Sequence, residues 1–170
     1  MKKNILALAG MAAVLAFGSD AYAATGTATA TIGTAISISQ NTGSQTSSTN
    51  AELAFGHIIP GPGGTVTVPT SGTTTASGVT LTTQLPTGPA EFKVTGDTGK
   101  SYTATLPSTT ATITKAGGGA TMTVTGLSSD STGSLAGGEE IFHVGGVLTI
   151  AAGQAAGVYS GTFTVNAAYN

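Results

Sequence analysis

The chain has no cysteine, no tryptophan and no arginine, and only 7% of its 170 residues are charged. Without cysteine it can form no disulfide, thiolate metal site, iron–sulfur cluster or cysteine nucleophile. Five lysines against seven acidic residues cannot make the clustered basic face on which counterion release and phosphate binding depend, so nucleic acid is excluded as a partner. Coiled coils and helical bundles need Ala, Glu, Lys and Leu at helical spacing, which this composition does not supply. Instead there are 33 threonines and 26 glycines. Threonine is β-branched and suits a half-solvated pleated surface, so the expected fold class is all-β.

The first segment reads as an export signal. Lys2 and Lys3 precede an apolar run from Ile5 to Phe17, shorter than the roughly 20 residues needed to span a bilayer. Gly18-Ser19-Asp20 interrupts it, and Ala21-Tyr22-Ala23 supplies the small-x-small pattern of a cleavage site. The expected organisation is a signal peptide over 1–23 and a single domain over 24–170, with no transmembrane span in the mature chain. Cleavage leaves Lys93, Lys100 and Lys115 against Glu52, Glu91, Asp97, Asp130, Glu139 and Glu140. The expected location is the periplasm, the cell surface or the extracellular space.

Apolar and polar residues alternate along the rest of the chain. Leu53, Phe55, His57 and Ile59 precede the loop Pro60 to Gly64; Val66 and Val68 are followed by Pro69, and Val79 and Leu81 by Pro86 and Pro89. Phe92 and Val94 lead into the turn Asp97-Thr98-Gly99, which the spacing predicts as a hairpin, and Tyr102, Ala104 and Leu106 stop at Pro107. Met122 and Val124 alternate with Thr121, Thr123 and Thr125, and Ile141 to Val144 is separated from Val147 to Ile150 by Gly145-Gly146, which reads as a break. About ten strands with turn signals every eight to twelve residues predict an antiparallel immunoglobulin-like β-sandwich. The segment Gln40 to Asn50 is rich in Asn, Thr, Gly, Ser and Gln and reads as a flexible connection.

Each end of the mature chain reads as one long alternating strand. At the start, Ala28, Ala30, Ile32, Ile36 and Ile38 share a face and form a candidate donor strand that could add to a neighbour's sheet edge; equally, the segment could be the first strand of its own domain. At the end, Phe163, Val165 and Tyr169 share a face with Tyr159 and form the candidate C-terminal interaction strand.

Several segments occur in a telling order: Leu53-Ala54-Phe55-Gly56, Gly64 to Val68, Ala90 to Gly96, Tyr102 to Pro107, Thr121 to Val124, Phe142 to Leu148, and Gly157-Val158-Tyr159-Ser160-Gly161-Thr162-Phe163-Thr164-Val165 closing at Tyr169. In this order the chain resembles a family of secreted bacterial domains, domain of unknown function 4402. The resemblance implies an immunoglobulin-like, pilin- or adhesin-like sandwich with no assigned enzymatic activity. The C-terminus is also similar to that of chaperone–usher fimbrial subunits, which often carry a disulfide that this chain lacks. Self-association through sheet edges or strand exchange, and handling by a periplasmic chaperone, are the partners this implies.

Chemistry is sparse. His57 and His143 are the two histidines, and neither accompanies a Gly-x-Ser-x-Gly elbow. Glu139-Glu140 and His143 have a helical ligand spacing, but on a strand residues three apart face opposite ways. The glycine runs lack the following Lys-Ser/Thr of a phosphate cradle. No catalytic residue, metal or cofactor is expected. The function expected is that of a secreted or cell-surface structural subunit assembling by strand addition; the alternative is a monomeric adhesin or carbohydrate-binding module, which would use exposed aromatics.

Overall fold

The computed structural model describes residues 22–25, 30–31, 36–40 and 51–170. Among them every regular element is a strand, and the pairing is antiparallel throughout. In chain order these are β1 (Tyr22–Thr25), β2 (Ala30–Thr31), β3 (Ser37–Gln40), β4 (Ala54–Ile59), β5 (Gly64–Val68), β6 (Thr75–Ser77), β7 (Thr80–Gly88) and β8 (Ala90–Thr95). They continue with β9 (Lys100–Thr105), β10 (Ala111–Lys115), β11 (Thr121–Ser129), β12 (Ser134–Leu135), β13 (Glu139–Ile150), β14 (Tyr159–Ser160) and β15 (Thr164–Tyr169).

A small sheet has the order β1-β15-β9-β12, and a large one runs β14-β10-β11-β13-β8-β3-β2 with β5 and β6 attached beside β13. The strands β4 and β7 pair as a separate ribbon. The all-β antiparallel expectation holds, and the larger sheet is curled into a half-barrel.

The core follows from alternation. Ala90, Phe92 and Val94 on β8, Phe142, Val144 and Leu148 on β13, and Val66 on β5 are buried, as are Tyr102 on β9 and Val165 and Ala167 on β15. These side chains form one cluster drawn from the small and the large sheet. Phe92 sits at its centre, stacked on Phe142 at 5.7 Å between ring centroids and edge-on to Phe163 at 5.9 Å. Such aromatic pairs add stabilisation beyond the area they bury.

Threonine occupies the other side. Thr112, Thr123, Thr149, Thr65 and Ser77 are directly opposite one another in sequence of strands, giving a rank of hydroxyls across β10, β11, β13, β5 and β6. A β-branched polar residue meets both demands of this face, pleat packing and solvation, without charge.

Long β13 organises the large sheet. Its first half pairs with β8 and its second half with β5, the change falling between Val144 and Gly146. Gly145-Gly146 therefore does not break the strand, as the sequence suggested; it lets two backbones approach where the partner changes. A Cβ on Gly145 would lie 2.4 Å from the Val68 carbonyl oxygen.

Four further expectations are corrected. The N-terminal alternation that holds Ala30 and Ile38 is not one strand: β2 and β3 are separate and pair antiparallel, Ala30 opposite Ile38. Tyr159 to Tyr169 is not one strand either, because β14 belongs to the large sheet and β15 to the small one. The Asp97 to Gly99 turn is present, with Lys100 N donating to the Asp97 carbonyl at 3.2 Å, but it carries the chain from β8 in one sheet to β9 in the other. The total is fifteen strands among the described residues rather than about ten.

Few ion pairs support this frame. Lys93 Nζ lies 2.5 Å from Glu139 Oε2, with the side chains 33% and 52% exposed. A pair so exposed is screened by solvent and costs side-chain entropy to hold. Lys93→Gln is expected to change the unfolding free energy by under about 1 kcal/mol in a urea titration; a larger loss would show that the pair is a structural clamp.

Candidate interaction sites

The N-terminal segment contributes to the small and the large sheet. Residues 22–25 cover the outer edge of β15, with Ala24 opposite Val165, and residues 37–40 cover the edge of β8, with Ile38 opposite Val94. Ile38 is completely buried and Ile36 nearly so. Ser37 Oγ and Thr95 Oγ1 are hydrogen-bonded at 2.6 Å across this edge. Of the candidate donor residues, Ile36 and Ile38 lie in the chain's own core and Ala30 in β2, while Ala28 and Ile32 lie outside the described residues. Strand β1 spans the predicted cleavage position after Ala23, so Ala24 and Thr25 are the part of it that cleavage would leave.

The C-terminal candidates are also interior. Val165 is fully buried on β15, which has β1 on one side and β9 on the other; Phe163 packs edge-on against Phe92. Tyr169 is half-buried, and its phenolic oxygen accepts a hydrogen bond from Asp97 N at 2.6 Å, tying the last strand to the turn between the sheets.

Titratable groups gather around the first half of β13. His143 lies opposite Glu91 of β8, with Nε2 3.4 Å from the buried Glu91 carboxylate and Nδ1 3.2 Å from Asp130. Asp130 Oδ1 also accepts from His143 N at 2.6 Å. Glu140 faces the other way. Its carboxylate accepts from the Tyr102 hydroxyl at 2.5 Å, from Thr132 N at 2.6 Å and Thr132 Oγ1 at 2.9 Å, and more weakly from Ser131 Oγ and Ser134 N. Burial opposes ionisation of Glu140, but the donations from Tyr102, Thr132 and Ser134 outweigh it and hold the carboxyl below its ordinary range. Burial and the neighbouring Glu140 push the Tyr102 phenol up. Glu140 and His143 thus point to opposite faces, as their strand spacing requires. Among the described residues no three or more ligating side chains come together as a metal site.

The second feature is a groove that sequence reading missed. The β4–β7 ribbon, together with residues of β10, β11 and β13, lines an open apolar cleft of about 740 Å³. Its floor includes Ile113, Met122 and Leu148; Phe55 faces it from the ribbon, and Leu85 and Val158 stand at its sides, 57% and 75% exposed. Its polar side chains already have partners: His57 Nδ1 is 2.8 Å from Thr82 Oγ1, Gln154 Nε2 donates to Tyr159 Oη at 2.9 Å, and the Tyr159 hydroxyl donates to the Ala155 carbonyl at 2.7 Å.

Comparison with protein families matches residues 45–169 to the model described as Domain of unknown function (DUF4402). The chain belongs to the DUF4402 family. The matched stretch takes in every strand from β4 to β15 and leaves out β1, β2 and β3. The segment that covers the β8 edge in this DUF4402 protein lies outside the matched stretch. Comparisons with curated proteins and with solved structures give no match.

Proposed function

We propose that this DUF4402 protein is an exported structural subunit of the periplasm, cell surface or extracellular space, and that copies join by exchanging the N-terminal segment. The observation that carries this reading is Ile38: a residue outside the family-matched stretch is fully buried against β8. The donor sits on its acceptor edge in one chain, followed by a polar stretch, 41–50, that contains no proline. Ten residues can reach about 33–36 Å when extended, far enough for β3 of one copy to occupy the β8 edge of the next. Exchange of this kind that does not close on itself produces filaments. The immunoglobulin-like character implied by the family resemblance belongs to this reading, as does a periplasmic chaperone that would cover the β8 edge before assembly. No catalysis is assigned. The adhesin or carbohydrate-binding alternative has less support, because the hydroxyls of Tyr102, Tyr159 and Tyr169 are engaged within the chain.

The test is a double variant, Ser37→Cys with Thr95→Cys, in a chain that has no other cysteine. These positions are directly opposite in the β3–β8 pair, a separation that a disulfide can close. Exchange predicts a ladder of covalent multimers when the exported protein is oxidised and run without reductant. Monomers alone, at concentrations where the protein is expressed on cells, would overturn the proposal.

A further inference from the structure

We infer that the side-chain oxygen of Asn166 is the acceptor for the α-ammonium group that cleavage after Ala23 creates, so that processing itself pins the new N-terminus to the last strand. The inference rests on the export reading above and not on strand exchange. Strands β1 and β15 pair with Ala23 opposite Asn166 and Ala24 opposite Val165. The bond between Ala23 and Ala24 therefore runs alongside Asn166 at the separation of neighbouring strands, about 4.5–5.5 Å between facing Cα atoms, within reach of an asparagine side chain. In the uncleaved chain Asn166 Oδ1 is buried and has no hydrogen-bond partner among the described residues. A buried oxygen without a donor is a cost that native structures seldom leave in place.

Cleavage supplies the donor at this place. Hydrolysis of the Ala23–Ala24 amide by water leaves a carboxylate on Ala23, which departs with the leader, and an amine on Ala24, which takes up a proton below the ordinary α-amino pKa of about 7.7–8.0. One amide N–H becomes three N–H donors on the same atom, and a charged donor bonds more strongly than a neutral one. No side-chain charge competes for it: residues 24–50 contain no titratable side chain, and of the strands against which β1 mainly packs, β2, β3 and β15, only Tyr169 of β15 titrates. The ammonium also stays wet on one side. Cleavage removes the two residues opposite Asn166 and Ala167, so water reaches the cation from the edge that has been opened and the penalty of a fully buried charge is avoided. A short remnant gains most from such a contact, since only Ala24 and Thr25 of β1 remain paired, with Val165 and Thr164. A cation where the β15 edge becomes open also discourages a foreign strand from adding there.

The experiment compares the melting temperatures of four exported proteins: wild type, a form with one glycine inserted between Ala23 and Ala24, Asn166→Leu, and the two changes together, with intact mass fixing the first residue of each. The insertion moves the ammonium one residue along and leaves a neutral amide in its place; leucine keeps the size of the side chain but accepts nothing. At pH 7 each single change is expected to lower the melting temperature by about 3 °C or more, and the double form to melt close to the singles, because both changes remove the same contact. The bond raises the folded-state pKa of the amine, so its stabilisation is complete below the ordinary α-amino range and is lost as pH rises through the folded-state value. The gap between wild type and the glycine-extended form is therefore expected to close by about pH 10. Exported wild type beginning at a residue other than Ala24 would overturn the export reading and this inference with it. With Ala24 confirmed, additive losses in the double form, or a gap unchanged at about pH 10, would overturn the ammonium contact alone. Should Asn166→Leu fail to fold, the glycine-extended form and its pH dependence decide.

Discussion

Gly145→Ala is expected to lower the unfolding free energy by about 3 kcal/mol or more, the upper end of what overpacking costs. The added Cβ would lie 2.4 Å from the Val68 carbonyl oxygen, 2.8 Å from Pro69 C and 2.9 Å from Thr70 N. All three are backbone atoms at the end of β5, so no side-chain rotation relieves the clash. That backbone cannot withdraw easily either, because β5 is paired to β13 from Gly64 to Val68 and to β6 on its other side. Relief must come by opening the pairing where β13 changes partner, which is also where Val68 and Val144 enter the buried core. Gly146→Ala should be milder, since its Cβ would meet Leu127 Cδ2 and Val124 Cγ1, each at 3.0 Å, and these are side chains that can shift. Gly99→Ala supplies the reference: its Cβ meets nothing within 4 Å, and only the positive φ of 79° is unfavourable, a cost of roughly 1 kcal/mol. Urea midpoints for the three variants check the order. A Gly145→Ala protein as stable as Gly99→Ala would show that the β5 end yields freely and that the glycine is dispensable.

The same glycines mark the limit of what can be read from sequence. Period-two alternation made β8 legible, with Phe92 and Val94 inward, and likewise β5 with Val66 and Val68, because burying one face of a pleated strand imposes that period. Glycine is ambiguous: it ends strands, and it also lets strands meet closely, so Gly145-Gly146 reads as a break until Val68 is seen beside it. Alternation also does not say which sheet a residue belongs to. The phase from Tyr159 to Tyr169 is continuous in sequence, yet the chain crosses between sheets at 161–163. The groove was hidden for a related reason. Phe55, Met122 and Leu148 each read as an ordinary apolar member of a strand, and alternation alone does not say that they line a cleft. Glu140 did carry a signal, being an acid in phase with the buried Phe142 and Val144. A charge at an inward position requires donors around it, and the sequence reading weighs Glu140 only for its spacing from His143, which it sets aside as a metal site.

Those donors make Glu140 the second site of large effect. Glu140→Ala is expected to cost about 3 kcal/mol, in line with the loss of charge-assisted hydrogen bonds together with a buried hydroxyl left short of its acceptor. The carboxylate joins four parts of the fold: β13 itself, Tyr102 on β9, Thr132 in the loop after β11, and Ser134 at the start of β12. Tyr102 is 2% exposed, so once Glu140 is gone its hydroxyl keeps Ser131 Oγ at 2.9 Å but loses the stronger partner. The pH dependence has a definite sign. The folded protein holds the Glu140 carboxyl below its ordinary range, so its ionised form stabilises the fold above the unfolded-state pKa. That stabilisation is lost as pH falls through the lower, folded-state value. Wild type should therefore lose stability on acidification through and below the ordinary carboxylate range. Glu140→Gln, which keeps the shape but cannot ionise, should start lower at neutral pH and lose less over the same interval. Thermal or urea unfolding of both proteins across that interval decides it. Parallel acid limbs for wild type and Glu140→Gln would assign the acid sensitivity to other carboxylates and leave Glu140 as a neutral packing residue.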